Sequence, residues 1–424
     1  MDKHIREAIR IIRQNDRGTY TVPTHRLYPY QWNWDSGFTA LGLWQYDQQR
    51  AWLELSELLE AQWEDGMVPH IVFRKLDPDY FPGPLIWQTN TEPPSSGHSQ
   101  PPVLSSVVLE LVRRGDEFDQ HKGRELFSRL LRYHRWFVKA RDPQQRGVLA
   151  IIHPWESGRD NCPDWDIGMK NVVVPDDLVS YQRRDTAQVD SEQRPTESQY
   201  ERFLAILQYG RRAQWNHQLI YEQGPFLMAD PGVQFVFIRA TRDLLQLAKC
   251  FGYEEYYEEI QGWISRFSEG SNWLWNEEAG GFCARDLRTD IFSDAITNAS
   301  MLCFYAGVGS PSQNTRTLNH AHRILDSCKF GMPSWDPAHS KFEPRRYWRG
   351  PVWAIMNYMI AKGLSESNEE SLAARIRGDT IHLIENYGMA EYFDPITGAA
   401  LGGMDFSWTA AMYLEFAHKR VKDE

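Results

Sequence analysis

The 424-residue chain carries 46 Lys and Arg against 57 Asp and Glu, a net charge of -11, which argues against a protein built mainly to grip a nucleic-acid backbone. It has no run of about 18 apolar residues and opens on the charged MDKHIREAIR, so neither a membrane span nor a signal peptide is expected. Five widely spaced Cys without a CxxC argue against a disulfide framework or zinc site and point to the cytoplasm.

Helical periodicity dominates from the start. Ile5, Ile9 and Ile12 stripe a first helix over 2–14. The run 34–47 is apolar with small residues and suits a buried helix, and 51–63 follows at once as an amphipathic one. Val103, Leu104, Val107, Val108 and Leu111 make the next stripe; Leu126, Phe127, Leu130, Leu131, His134 and Phe137 make another. Further helices are predicted over 196–222, 230–250, 253–268, 293–306, 315–328, 351–364, 369–387 and 406–421. Strand signals are short, at 67–73, 147–152 and 280–286. Because helix follows helix, a parallel sheet is not expected. Helices paired two by two predict an all-α fold, an (α/α)6 barrel of six hairpins. An open helical solenoid competes, and the lack of a fixed-period repeat weighs against it. One domain is predicted over 1–424, with loop insertions at about 74–102 and 168–198. The first holds seven prolines but also Tyr80, Phe81 and Trp87, and reads as an ordered loop over one barrel mouth.

Five stretches mix aromatic rings with isolated charges: YPYQWNWDSGF (28–38), SSGHSQPP (95–102), HPWESGRDN (153–161), YWRGPVW (347–353) and AEYFDPITGAALGGMDFSWTAA (390–411). Each falls at a helix end or in the loop before a helix. In a barrel of helix pairs such loops converge, which would bring Asp35, Gln100, Asp160, Arg349 and Glu391 together. The 17 Trp, 19 Tyr and 20 Phe fit both a large aromatic core and a pocket whose rings face the C–H surface of a sugar. Two carboxyls facing each other across such a pocket are what glycoside hydrolysis needs: one protonated to serve the leaving oxygen, one ionised to act on water or on the sugar. Asp160 has Glu156, Asp164, Asp166 and Trp155 nearby, and like charges and burial both raise a carboxyl pKa, with Arg159 opposing. Glu391 is a charge in an apolar setting. Against these readings, an Asp in a loop is commonly a turn or helix cap, and Arg345, Arg346 and Arg349 also read as surface charges. There is no HExxH, GxSxG, GxGxxG or P-loop, so neither a metal nor an organic cofactor is expected. His98 and His153 read as hydrogen-bonding pocket residues.

The motifs WNWDSGF, SSGxxQPP, PWESGRDN, YWRGPVW and ExYxPxTG…FSWTAA, spread over about residues 28–411, resemble glycoside hydrolase family 63. The ESGRD element is also similar to the inverting trehalases, which share the (α/α)6 barrel. The resemblance implies an inverting α-glycosidase with Asp160 as general acid and Glu391 as general base. It places substrate contacts on Tyr28, Trp34, Asp35, Gln100, Trp155, Gly158, Trp348 and Trp353. Compact bacterial members hydrolyse glucosylglycerate or mannosylglycerate, and for these Tyr80, Arg194 and Tyr347 would grip the glycerate, Arg by bidentate pairing. His98, Ser99 and Cys162 depart from the family pattern, so glucose against mannose and the aglycone stay open. Another small α-glucoside, a sugar isomerase or epimerase on the same barrel, and a non-catalytic sugar binder are the alternatives. The partner expected is a small sugar; a homo-oligomer is left open.

Overall fold

The structure is a computed structural model; it describes residues 2–25 and 27–423, with side chains to residue 417. Among the described residues, twelve helices alternate between an outer and an inner ring. The outer helices are α1 (Lys3–Asn15), α3 (Gln48–Glu60), α5 (Glu117–Arg141), α7 (Tyr257–Gly270), α9 (Pro311–Ser327) and α11 (Glu370–Tyr387). The inner ones are α2 (Asn33–Trp44), α4 (Leu104–Arg114), α6 (Pro231–Phe251), α8 (Asn298–Ala306), α10 (Ala354–Glu366) and α12 (Ser407–Asp423). Around the inner ring α2 packs on α4, α4 on α6, α6 on α8, α8 on α10, α10 on α12, and α12 back on α2. The ring closes, which separates a barrel from an open solenoid.

The two rings are legible in side-chain burial. Helix α8 is buried at all of its positions and α2 from Asn33 to Leu43, as a helix with neighbours on every side must be. Outer α9 buries only Thr317, Ala321, Ile324 and Leu325, a single stripe. Caps set the starts. Asp230 accepts the amides of Gly232 and Val233 ahead of Pro231 in the first turn of α6. Thr297 and Ser300 form a reciprocal capping box that starts α8 at 298 rather than the predicted 293.

The helix predicted over 196–222 is two, Glu197–Arg212 and His217–Gln223. Gln214 and Trp215 take positive φ between them, and Trp215 folds back to donate from Nε1 to the Trp87 carbonyl at 2.9 Å. Its indole fills the space where a Cβ on Gly97 would sit 2.0 Å away, which accounts for the glycine in SSGHSQPP. The predicted strands shrink to two-residue ladders. Gln31–Trp32 pairs with Ile71–Val72, Ala150–Ile151 with Met228–Ala229, and Trp275–Asn276 with Gly281–Phe282, while a further ladder, Tyr392–Phe393 with Ala400–Leu401, was not predicted. All lie in segments leading into the N-termini of inner helices, so they brace one mouth of the barrel. Among the described residues no helix is long and apolar enough to cross a membrane.

Candidate active site

The braced mouth holds a cavity with about 980 Å³ of empty space, its opening included. Trp34 and Asp35 reach it from the first turn of α2, Gln100 from just before α4, Trp348 from before α10, and Glu391 from before α12. Tyr28, Trp155, Gly158 and Asp160 line it too. From the two long loops come Tyr80 and Phe81 on one side, and Arg184, Asp185 and Arg194 on the other. Phe81 stacks on Tyr181, and Asp77 accepts from Arg184 at 2.9 Å, so the two loops meet over the mouth.

The acidic motif resolves into three paired carboxylates and one that is different. Glu156 is fully buried and takes the Arg141 guanidinium at 2.7 Å and the amides of Ser99 and Ile152. Asp164 lies 3.0 Å from Arg159, which also holds Asp230 at 2.7 Å. Asp166 accepts from Arg349. Asp160 alone faces the cavity, and its partly accessible carboxyl is walled by protein on the other sides. That desolvation, followed by the charge of Glu391, pushes its pKa up to about 7 against the pull of Arg194 and of a hydrogen bond with Tyr347. Burial comes first, as expected; the like charge that adds to it is Glu391, 231 positions on, and not the acids beside Asp160 in sequence.

Glu391 is 1 % exposed. Arg194 donates to it twice, from Nη2 to Oε2 at 2.8 Å and from Nη1 to Oε1 at 3.3 Å. The Tyr28 hydroxyl donates to Oε1 and the Gly403 amide to Oε2, both at 2.9 Å. This pairing is the reason a carboxylate stands in an apolar setting. Tyr347 leans over Arg194 at 4.9 Å in a positive-φ conformation uncommon for a bulky residue. Burial, then the charges of Glu391 and Asp160, hold Asp35 well above the ordinary carboxylate range. The Gln100 side-chain oxygen accepts the Trp34 amide at 3.2 Å, which leaves its NH2 group for a ligand. Gly158 has φ +69°, and a Cβ there would sit 2.6 Å from Trp34.

Two expected wall residues lie elsewhere. Trp353 is fully buried and stacks flat behind Trp348 at 3.8 Å, so it is a backing layer and not a cavity surface. Arg349 is spent on Asp166, Glu343 and the Asn161 carbonyl. His98 does not reach the cavity either: it lies in a buried stack between His70 and His153, with centroids 4.9 and 5.0 Å apart. The wall imidazole is His70, which the sequence reading passed over, as it did Tyr200, Phe203 and Trp408. Trp408 was visible in FSWTAA; His70, Tyr200 and Phe203 stand in stretches with no motif character.

Residues 28–409 match the mannosylglycerate hydrolase MGH1-like glycoside hydrolase domain. The chain belongs to this family. This family 63 glycoside hydrolase is 42% identical over 413 residues to mannosylglycerate hydrolase of Thermus thermophilus, covering 96% of this chain and 99% of that one. It is 32% identical over 433 residues to glucosylglycerate hydrolase of Mycolicibacterium hassiacum, covering 96% of each. A crystal structure of a family 63 mannosylglycerate hydrolase from Thermus thermophilus, in complex with Tris and D-glycerate, superposes with a TM-score of 0.94 at 41% identity, covering 98% of this chain and 100% of that one.

Proposed function

We propose that this glycoside hydrolase cleaves a hexosyl glycerate, mannosylglycerate first, with inversion at the anomeric carbon. The observation that carries the reading is the unequal pair of carboxyls in one cavity. Asp160, raised to about 7, holds the proton a leaving oxygen needs; Glu391, paired with Arg194, is the ionised partner. Asp160 protonates the glycosidic oxygen as the bond opens, and Glu391 takes a proton from the water that attacks the opposite face. Trp34, Trp155 and Trp348 offer ring faces to the sugar, while Asp35 and Gln100 meet its hydroxyls. Tyr80, Tyr347 and Arg194 are the groups placed to receive the glycerate. Mannose is preferred over glucose because the higher identity is to a mannosylglycerate hydrolase.

The test is steady-state hydrolysis of 2-O-α-mannosylglycerate and 2-O-α-glucosylglycerate by the wild type, Asp160→Asn and Glu391→Gln. The wild type should turn over at least one of them, and each variant should lose about 10²- to 10⁴-fold in kcat. Full activity in either variant would remove that residue from its role; conversion of a free aldose without glycoside cleavage would favour an isomerase.

A further inference from the structure

Glu391 accepts four hydrogen bonds: one from the Tyr28 hydroxyl, two from Arg194 and one from the Gly403 amide. An ionised carboxylate offers roughly four lone-pair sites. Its acceptor capacity is therefore filled, and an attacking water has no place on it. That is the wrong state for a general base, whose oxygen must lie within hydrogen-bond reach of the proton it removes. One of the donors has to leave. The Gly403 amide is fixed by its backbone, because its own carbonyl accepts from the Glu391 amide at 2.7 Å. The Tyr28 hydroxyl is neutral and answers weakly to a charge. Arg194 is the donor that an anion can draw away.

Two more features single out Arg194. It is 1 % exposed, yet its Nε has no partner, so part of a buried guanidinium is uncommitted. The other arginine among the described residues lining the cavity, Arg184, is held by Asp77 at 2.9 Å. An anionic ligand entering here therefore has to compete with a protein carboxylate for its cation.

We propose that Arg194 is a lock on Glu391 that the carboxylate of an anionic aglycone opens. The inference rests on Glu391 being the general base. A carboxylate on the aglycone matches the same planar fork. As Arg194 turns to it, the oxygens of Glu391 become free to take a proton from water. The same movement neutralises a cation whose field pulls the Asp160 pKa down, so the acid keeps its proton as the base is released. Neutral glycosides leave the lock shut. Selection for the anion then appears in kcat and not only in KM.

The probes are α-mannosyl and α-glucosyl fluoride, which carry no aglycone carboxylate, each with and without added D-glycerate. The wild type should hydrolyse the preferred fluoride slowly, and D-glycerate should raise that rate saturably by about tenfold or more. Arg194→Gln should cleave the fluoride about tenfold faster than the wild type without glycerate, ignore added glycerate, and lose turnover of the glycerate glycoside. Simple inhibition of the wild type by D-glycerate, with Arg194→Gln no faster on the fluoride, would overturn the lock. Should Arg194→Gln fail to fold, the glycerate response of the wild type decides alone. Full turnover of the glycerate glycoside by Glu391→Gln would instead remove the base assignment, and the lock with it.

Discussion

At Asp160 the decisive neighbour is distant in sequence. Arg159 stands beside it but turns its charge to Asp164 and Asp230, and the charge that acts on Asp160 comes from Glu391. With Asp160 as the proposed general acid, the active form is the protonated one, so kcat/KM should fall on the alkaline side with a midpoint near 7; a flat profile through pH 8 would contradict this. The same shift has a stability consequence of opposite sense to a salt bridge. With the folded pKa above the unfolded one, ionisation destabilises the fold progressively from about pH 4 up to about 7, at about 1.4 kcal/mol per pKa unit. Asp160→Asn should therefore melt higher than the wild type at pH 8, by up to a few kcal/mol in stability, with the gain shrinking towards pH 4. The resemblance singled out Asp160 among the acids of the motif, but the partners of the other acids were not legible. Glu156, Asp164 and Asp166 each find an arginine through the fold, and no spacing rule encodes those partners.

Elements meet the site through a few fastened points. Glu156 joins three of them: Arg141 at the end of α5, the Ser99 amide in the loop before α4, and the Ile152 amide beside a short strand. Removing one partner of a fully buried ion pair strands the other charge, so Glu156→Gln should cost about 3–5 kcal/mol in urea or thermal unfolding. A loss below about 1 kcal/mol would mean the loops are held otherwise. Gly158→Ala would press on Trp34 from a positive-φ position; a cost of about 1–3 kcal/mol together with lost activity is expected, read from melting and turnover of the same sample. Trp353 shows the limit of motif reading at this scale. It sits in YWRGPVW beside a true wall residue, yet the stack on Trp348 and Tyr392 puts it one layer back. Neighbouring aromatics in one motif divide between surface and support, and only packing assigns them.

Across the whole molecule charge is handled differently at the mouth and along the inner helices. The mouth gathers the carboxyls of Asp35, Asp160 and Glu391 around one cavity, where burial and mutual repulsion raise the first two. Farther along the inner helices lie compensated pairs, Arg114 with Glu415 at 2.7 Å and Arg239 with Asp243 at 2.8 Å. There burial alone would raise Glu110, but Lys362 and then Arg114 outweigh it and hold it down at about 2. Its stabilising contribution is present above about pH 4.5 and is lost as pH falls towards 2. Helix order was legible from apolar periodicity, and the closed ring from helix pairing without a fixed-period repeat, with an open solenoid left as the competitor until α12 was seen packed on α2. The lid loops were legible as insertions, but their meeting through Asp77 and Arg184 depends on contacts across 107 positions. The measurement that tests the central claim most directly is a proton NMR time course on 2-O-α-mannosylglycerate, reading the first anomer released. Single displacement by Asp160 and Glu391 predicts β-mannose first, followed by mutarotation; α-mannose first would contradict it.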